Sequence, residues 1–197
     1  MKKRNVGGRL CLDFVNTVDP RHGAPREEHL PDYESLVGWA EQAGIVASDE
    51  AARLTAAARR EPAAARRAHE EAIDLRETLY SIFGAVARGE PPGSVSQLNA
   101  HLARTQPRLV GDEGGFAWGW APGDDLDRIL WPVAWSAAEL LAQGPLERVR
   151  ECPGDDTCGW LFLDTSRNGS RRWCDMSTCG NRSKARRYYR RVRTARS

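Results

Sequence analysis

No stretch of this 197-residue chain stays apolar over the roughly 18 residues that a membrane-spanning helix requires, so no such helix is expected. The opening "MKKRNVGG" is basic. It lacks the apolar run and small-residue cleavage site of a secretory leader, so a cytoplasmic location is expected. Cysteine is scarce. Of five, only Cys11 lies before residue 152, which argues against a disulfide framework distributed through the fold. The four histidines are scattered, and "AHEEA" does not have the H-E-x-x-H spacing of a catalytic zinc site. "VGG" is too short for a phosphate-binding loop. The acid pairs Asp124–Asp125 and Asp155–Asp156 stand where a helix cap and a turn would place them. No enzyme is expected on these grounds. Internal repeats and low-complexity segments are also missing.

A further absence concerns charge. No Asp or Glu follows Asp175. Residues 148–197 carry 13 Lys and Arg against 5 Asp and Glu, whereas residues 1–147 carry 16 against 22. The net charge of +2 therefore hides a strongly basic end, which suits a polyanionic partner.

Apolar residues make up 41% of the chain, enough for a core in the first three quarters. Helical spacing groups Leu10, Cys11, Phe14, Val15 and Val18, so a short helix is expected there. Pro-rich residues 19–32 read as a loop, and helices are expected over 33–44 and 48–60, the latter capped by Ser48 or Asp49. From Pro62 to Arg88 the series Ala65, Ala68, Ala72, Leu75, Leu79, Ile82, Val86 predicts one long amphipathic helix, with its Arg, Glu and Asp on the other side. A helix over 94–105, a β-hairpin over 107–123 and a helix over 124–144 kinked at Pro132 complete a mainly helical domain, 1–145. The composition changes near 143–151, and a small second unit, 146–197, follows.

That unit reads C-x5-C, fifteen residues, C-x4-C, with Cys152, Cys158, Cys174 and Cys179 as candidate ligands of one Zn2+. Tetrahedral thiolate coordination needs four sulfurs to converge from two segments, and "PGDD" supplies a turn that can deliver the first pair. Between the pairs, "WLFLD", "RNG" and "RRW" suggest a hairpin. The second pair stands where a helix should begin, capped by Ser177 or Thr178. The order knuckle, hairpin, helix predicts a treble-clef-like finger, and the whole chain an α+β protein. A closed four-cysteine site has no open coordination position, so the metal is expected to be structural. In the basic helix Arg182, Arg186, Arg190 and Arg193 share a face beside Arg187 and Arg191, while Ala185, Tyr188 or Tyr189, and Val192 form a strip expected to pack on the hairpin. Candidate nucleic-acid residues are Asn181, Arg182, Lys184, Arg186, Arg187, Arg190 and Arg191, joined by Arg171 and Arg172 from the expected hairpin turn. Guanidinium forks suit phosphate oxygens and guanine edges. A metal site that fixes the start of such a helix would aim its arginines.

"WLFLDTSRNGSRRWCDMSTCGNRSKARRYYRR" resembles the CGNR zinc finger, named for the residues that stand here as Cys179, Gly180, Asn181 and Arg182. "GGRLCLDFVNTVDPR" resembles the start of the ABATE-type domain that precedes such fingers. The resemblance implies a bacterial stress-induced transcription regulator with the four C-terminal cysteines as zinc ligands. Double-stranded promoter DNA is then the expected partner, a small-molecule effector is possible, and so is a dimer. An RNA- or protein-binding finger, or a small-molecule-binding protein with a purely structural finger, remains the alternative.

"LCLDFVNT" raises the question of a second site. On a helix Asp13, Asn16 and Thr17 share a face and could line an effector pocket walled by Trp39, Trp118, Trp120, Trp131 and Trp135. Equally, the polar three could tie down backbone groups inside the fold.

Overall fold

The computed structural model describes residues 6–23, 25–112, 114–120, 123, 125–154 and 157–194, without the side chains of Asp112, Arg190, Arg193 and Thr194. The expected "PGDD" turn is therefore described only as far as Gly154, because Asp155 and Asp156 lie outside these residues, as does Asp124.

The scaffold is built around the long helix. Pro62 occupies its first turn, where a missing N–H costs nothing, and Gly89 ends it with φ 70°, a conformation glycine adopts without strain. The short helix α1 (Leu10–Val15), then α2 (Tyr33–Gln42) and α3 (Ser48–Arg60) lead to this helix, α4 (Pro62–Arg88). The helices α5 (Ser96–Arg104) and α6 (Leu130–Gln143) follow it. Ala65, Ala68, Ala72, Leu75, Leu79 and Phe83 of α4 are buried in one large core with Leu12, Phe14, Leu36, Leu54, Val133 and Ala137 of its neighbours. Asp32 caps α2 by accepting from the Ser35 N–H at 2.8 Å. At α3 the expected capping role does not materialise: Ala47 is the capping residue, and Ser48 instead donates its hydroxyl to Glu41 at 2.5 Å.

Pro132 introduces no break. A 3-10 turn over Leu126–Ile129 leads into α6, and Pro132 stands in the first turn of α6, where no intrahelical partner is lost.

Among the described residues, three antiparallel strand pairs complete the fold. β1 (Val18–Asp19) pairs with β2 (Glu27–Glu28), so Val18, grouped from sequence with the helix that ends at Val15, and part of the segment read as a loop are strand. β3 (Pro107–Asp112) and β4 (Gly115–Trp120) form the expected hairpin, with Leu109 opposite Trp118. The third pair corrects the sequence reading. β6 (Leu161–Leu163) pairs with β5 (Val149–Glu151), which precedes the first cysteine, and not with "RRW". Asp164 accounts for the difference. Its carboxylate accepts from the Ser166 N–H and hydroxyl, at 2.8 and 2.6 Å, and from the Arg171 N–H at 3.0 Å. The chain after β6 is thereby held as a side-chain-bonded loop, and residues 171–173 form no strand.

The pair β5–β6 has two loyalties. Val149, Leu161 and Leu163 belong to the large core. Phe162 points the other way, into a second cluster with Cys152, Cys158, Cys174 and Cys179, flanked by Val6, Trp160 and Trp173.

Candidate metal centre and its basic helix

Cys152 and Cys158 sit on the loop between β5 and β6. Backbone bonds shape that loop: Cys152 N–H to Trp160 O at 2.8 Å, Gly159 N–H to Cys152 O at 3.1 Å and Cys158 N–H to Gly154 O at 3.2 Å. A Cβ on Gly154 would lie 2.1 Å from the Cys158 Cβ and 3.4 Å from the sulfurs of Cys158 and Cys179, so the knuckle closes only around glycine. Residues of the helical part brace it from outside. Arg21 N–H donates to Cys158 O at 2.8 Å and His22 N–H to Thr157 O at 2.9 Å.

Cys174 and Cys179 come from the other segment. Asp175 caps the wide π-type turn Met176–Gly180 by accepting from the Ser177 N–H at 2.7 Å and hydroxyl at 2.8 Å. The cap therefore falls on Asp175, ahead of the expected Ser177 or Thr178, because its carboxylate reaches the open N–H groups of the turn. The turn runs directly into α7 (Asn181–Thr194).

The four Sγ atoms lie within 4.8 Å of one another, with Cys158 to Cys174 at 3.7 Å and Cys174 to Cys179 at 3.6 Å. Thiolates at about 2.3 Å around a tetrahedral ion stand about 3.8 Å apart, so the set fits one Zn2+. All four are buried, which suits a closed structural site. In the thiol state the cluster shares its protons unevenly. Hydrogen bonds from its three neighbours pull Cys152 far down, while Cys158 and Cys174 are pushed up by the same bonds and by burial. A divalent ion supplies the charge that lets the remaining protons leave. Cys11 takes no part. It is wholly buried in the large core, and desolvation raises its thiol to about 12.

The basic residues divide into two groups. Arg171 is directed inward. Its guanidinium donates to Val6 O at 2.9 Å, Leu163 O at 3.3 Å, Trp173 O at 3.1 Å and Cys174 O, and lies 4.4 Å from the centre of the Phe162 ring. With its fork committed to carbonyls, Arg171 does not share the outward placement expected from sequence. Arg172 stays exposed, beside the Trp173 ring. On α7, Asn181, Arg182, Lys184, Arg186, Arg187 and Arg191 are exposed or partly so, and the Arg190 side chain lies outside the described residues. The expected packing of an apolar strip on the hairpin is not formed. Ala185 is exposed, as are Tyr188 and Tyr189 at 65% and 66% of their surface, and only Val192 is partly covered. So narrow a strip does not offset desolvating the arginines on both sides of it. The helix stands out from the body, rooted at Cys179.

Asp13, Asn16 and Thr17 act inside the fold. Gly7 N–H donates to Asp13 Oδ1 at 2.8 Å, the Asn16 carboxamide bonds both backbone groups of Leu161, and Thr17 donates to Phe14 O at 2.8 Å. None of the three lines the cleft bordered by Leu10, Val46 and Ser136. Trp39 and Trp131 are buried, whereas Trp118, Trp120 and Trp135 do line it.

One functional group was not anticipated. Arg76 and Arg21 are buried, and they hold Glu28 and Glu77 in a chain of ion pairs, with Arg76 to Glu28 at 2.7 Å and Arg21 to Glu77 at 2.7 Å. This chain clamps the β1–β2 segment, and so the brace of the knuckle, onto α4. The signal available was position: Arg76 follows Leu75 directly, at the edge of the apolar stripe.

A helical body continuous with a four-cysteine finger, ending in an exposed basic helix, is the architecture of a zinc-finger protein. Residues 8–144 match the ABATE family, described as "Putative stress-induced transcription regulator", and residues 148–192 match the CGNR zinc finger. The chain belongs to the ABATE family and carries the CGNR finger directly after that domain. No curated protein matches it. No described helix is long and apolar enough to cross a membrane.

Proposed function

We propose that this protein is a transcription regulator that binds double-stranded promoter DNA through α7, in the cytoplasm of a bacterium and in response to stress. One observation carries the reading: a helix whose described basic side chains are open to solvent is rooted at a metal ligand, Cys179, by a turn of five residues. An isolated helix of 14 residues is marginal in water, and mutual repulsion among its arginines weakens it further. A phosphate backbone removes that repulsion, and the metal fixes the direction in which the helix leaves the body. In this reading Asn181 and Arg182 at its start meet base edges, and Lys184, Arg186, Arg187, Arg190 and Arg191 meet phosphates. The role is binding, with no catalytic step. A small-molecule effector and a dimer belong to the same reading.

The test is binding of the zinc-loaded protein to its own promoter duplex at two salt concentrations. Arg187→Ala is expected to weaken all sequences alike and to flatten the salt dependence by about one unit of slope. Asn181→Ala is expected to relax sequence preference, by about 1–3 kcal/mol where a bidentate base contact is lost. Unchanged affinity and salt dependence in both variants, with zinc retained, defeats the proposal.

Tyr188 and Tyr189, exposed and edge to face at 5.8 Å, favour a second reading, single-stranded nucleic acid stacked on these rings. It requires the double variant Tyr188→Ala, Tyr189→Ala to lose single-strand binding while keeping duplex binding.

A further inference from the structure

The sulfur atoms of this protein divide into covered and open ones. All five cysteines are buried: Cys11 lies in the large core, and Cys152, Cys158, Cys174 and Cys179 leave between 1% and 7% of their surface exposed. A bound zinc ion would engage the thiolates of the last four as well. The other sulfur among the described residues belongs to Met176, which leaves 49% of its surface exposed; Met1 lies outside those residues. Met176 lines an open hollow of about 540 Å3 on the finger, together with Arg172, Trp173 and Cys174. Of the two sulfur residues on that lining, Met176 is the one open to solvent.

Met176 also helps to hold the root of α7. Its carbonyl accepts from the N–H of Asn181, the first residue of that helix. Its thioether covers Gly180, which is buried and adjoins the ligand Cys179. A Cβ on Gly180 would lie 2.4 Å from the Met176 sulfur, 3.1 Å from its methyl carbon and 3.2 Å from Cδ1 of Trp173. The thioether is therefore packed on the backbone that joins a metal ligand to the basic helix, while half of its residue meets water. These two properties conflict once the sulfur is oxidised. A sulfoxide is polar and larger by one oxygen atom. It takes up water, and the packing of sulfur and methyl on Gly180 is weakened.

We propose that Met176 is a modification site: a hypohalous acid converts it to the sulfoxide ahead of the zinc-bound cysteines, and the sulfoxide loosens the turn that carries Cys179, so that the metal leaves faster. With hypochlorous acid the thioether sulfur attacks chlorine and hydroxide leaves. Hydroxide then adds to sulfur, chloride leaves and a proton is released. Sulfur gives up two electrons and chlorine takes them. This oxidant attacks any open sulfur rapidly, so exposure sets the order of attack. The modification stands independently of any interaction with DNA; its use as a signal rests on the regulator reading.

The experiment is stepwise addition of hypochlorous acid to the full-length, zinc-loaded protein with no DNA present. Peptide mass mapping locates the added oxygen, and a chromophoric chelator reads the rate of zinc release. The peptide containing Met176 is expected to gain oxygen while the four ligand cysteines are still thiols, and zinc release is then expected to become several-fold faster. Met176→Leu keeps a side chain of similar volume without the sulfur, and its release rate is expected to stay at the native value before and after the same dose. Met176→Gln sets a polar group against Gly180, and is expected to release zinc several-fold faster with no oxidant added. Oxidation of the ligand cysteines ahead of Met176 overturns the proposal. So does a Met176 sulfoxide protein that holds zinc as long as the untreated one, and so does release from oxidant-treated Met176→Leu as fast as from the treated native protein. Native release from Met176→Gln counts against it in the same way. DNA affinity enters none of these outcomes, so failure here leaves the reading of α7 standing.

Discussion

The carboxamide of Asn16 bonds the backbone of Leu161 in both directions: Leu161 N–H donates to Oδ1 at 2.9 Å and Nδ2 donates to Leu161 O at 2.7 Å. Asn16 thus acts as one more residue of strand on the free edge of β6. The end of α1 is joined to the finger across 145 residues of sequence by two buried hydrogen bonds. Asn16→Ala would leave a donor and an acceptor unpaired in a site closed to water. The expected loss is about 2–6 kcal/mol, from two orphaned groups at about 1–3 kcal/mol each, read as the shift of a urea-unfolding midpoint. An unshifted midpoint would mean that water satisfies both groups.

Cutting the chain after Gly144 tests how far the helical part stands alone. Val149, Leu161 and Leu163 cover its core, and without them that face and Asn16 are opened to solvent. The shortened chain is expected to lose cooperative thermal unfolding and to bind hydrophobic dyes. A sharp melt close to that of the intact protein would refute this.

Zinc retention should depend on a residue that is not a ligand. Gly154→Ala leaves four cysteines in place but sets a Cβ against Cys158. Chelator competition is expected to remove zinc from this variant faster than from the native protein, which holds one ion per chain. Cys174→Ser is expected to abolish tight binding altogether. Equal release rates for Gly154→Ala and native protein would show that the knuckle opens without cost.

Arg171 and Arg187 should respond oppositely to the same substitution. Arg171→Ala removes a guanidinium bonded to carbonyls of Val6, Leu163, Trp173 and Cys174, so the melting temperature should fall and zinc should be held less well. Arg187→Ala touches an exposed side chain on a projecting helix, so stability should stay within about 0.5 kcal/mol. Differential scanning calorimetry of the two variants side by side decides the matter.

Asp13 should leave a mark on the pH dependence of stability. Burial raises its carboxyl from 3.8 to about 6, against the lowering effects of the Gly7 N–H and of Arg171. The folded state then holds this proton more tightly than the unfolded state. Its contribution is fully present below about pH 4 and is lost as pH rises through about 6, with an upper bound of about 3 kcal/mol. In the variant Asp13→Asn the carboxamide oxygen can still accept from the Gly7 N–H, but the side chain cannot titrate. The stability of Asp13→Asn minus that of the native protein should therefore increase between about pH 4 and pH 6 and level off above. A flat difference would place the Asp13 carboxyl at its ordinary pKa.

The cysteine set could be read from sequence because ligand spacing is a local, covalent matter. The same holds for α4, whose apolar positions repeat over 27 residues, and for the β3–β4 hairpin, whose turn and strands are adjacent in the chain. Tertiary structure alone decided the partner of β6. "RRW" and Val149–Glu151 are both within reach, and the choice falls on the strand that can bury Val149 in the large core while Asp164 holds the other segment as a loop. It also decided which arginines face inward. Arg76 and Arg171 look like surface residues in composition, but Glu28 meets Arg76, and the Val6 carbonyl meets Arg171, only after distant segments fold together. Asn16 and α7 mark the two ends of this rule. Asn16 is polar in an apolar segment because Leu161 needs a partner that no local pattern reveals. The basic helix carries an apolar strip yet stays exposed, because burying that strip would strip water from its arginines without supplying them a counter-charge.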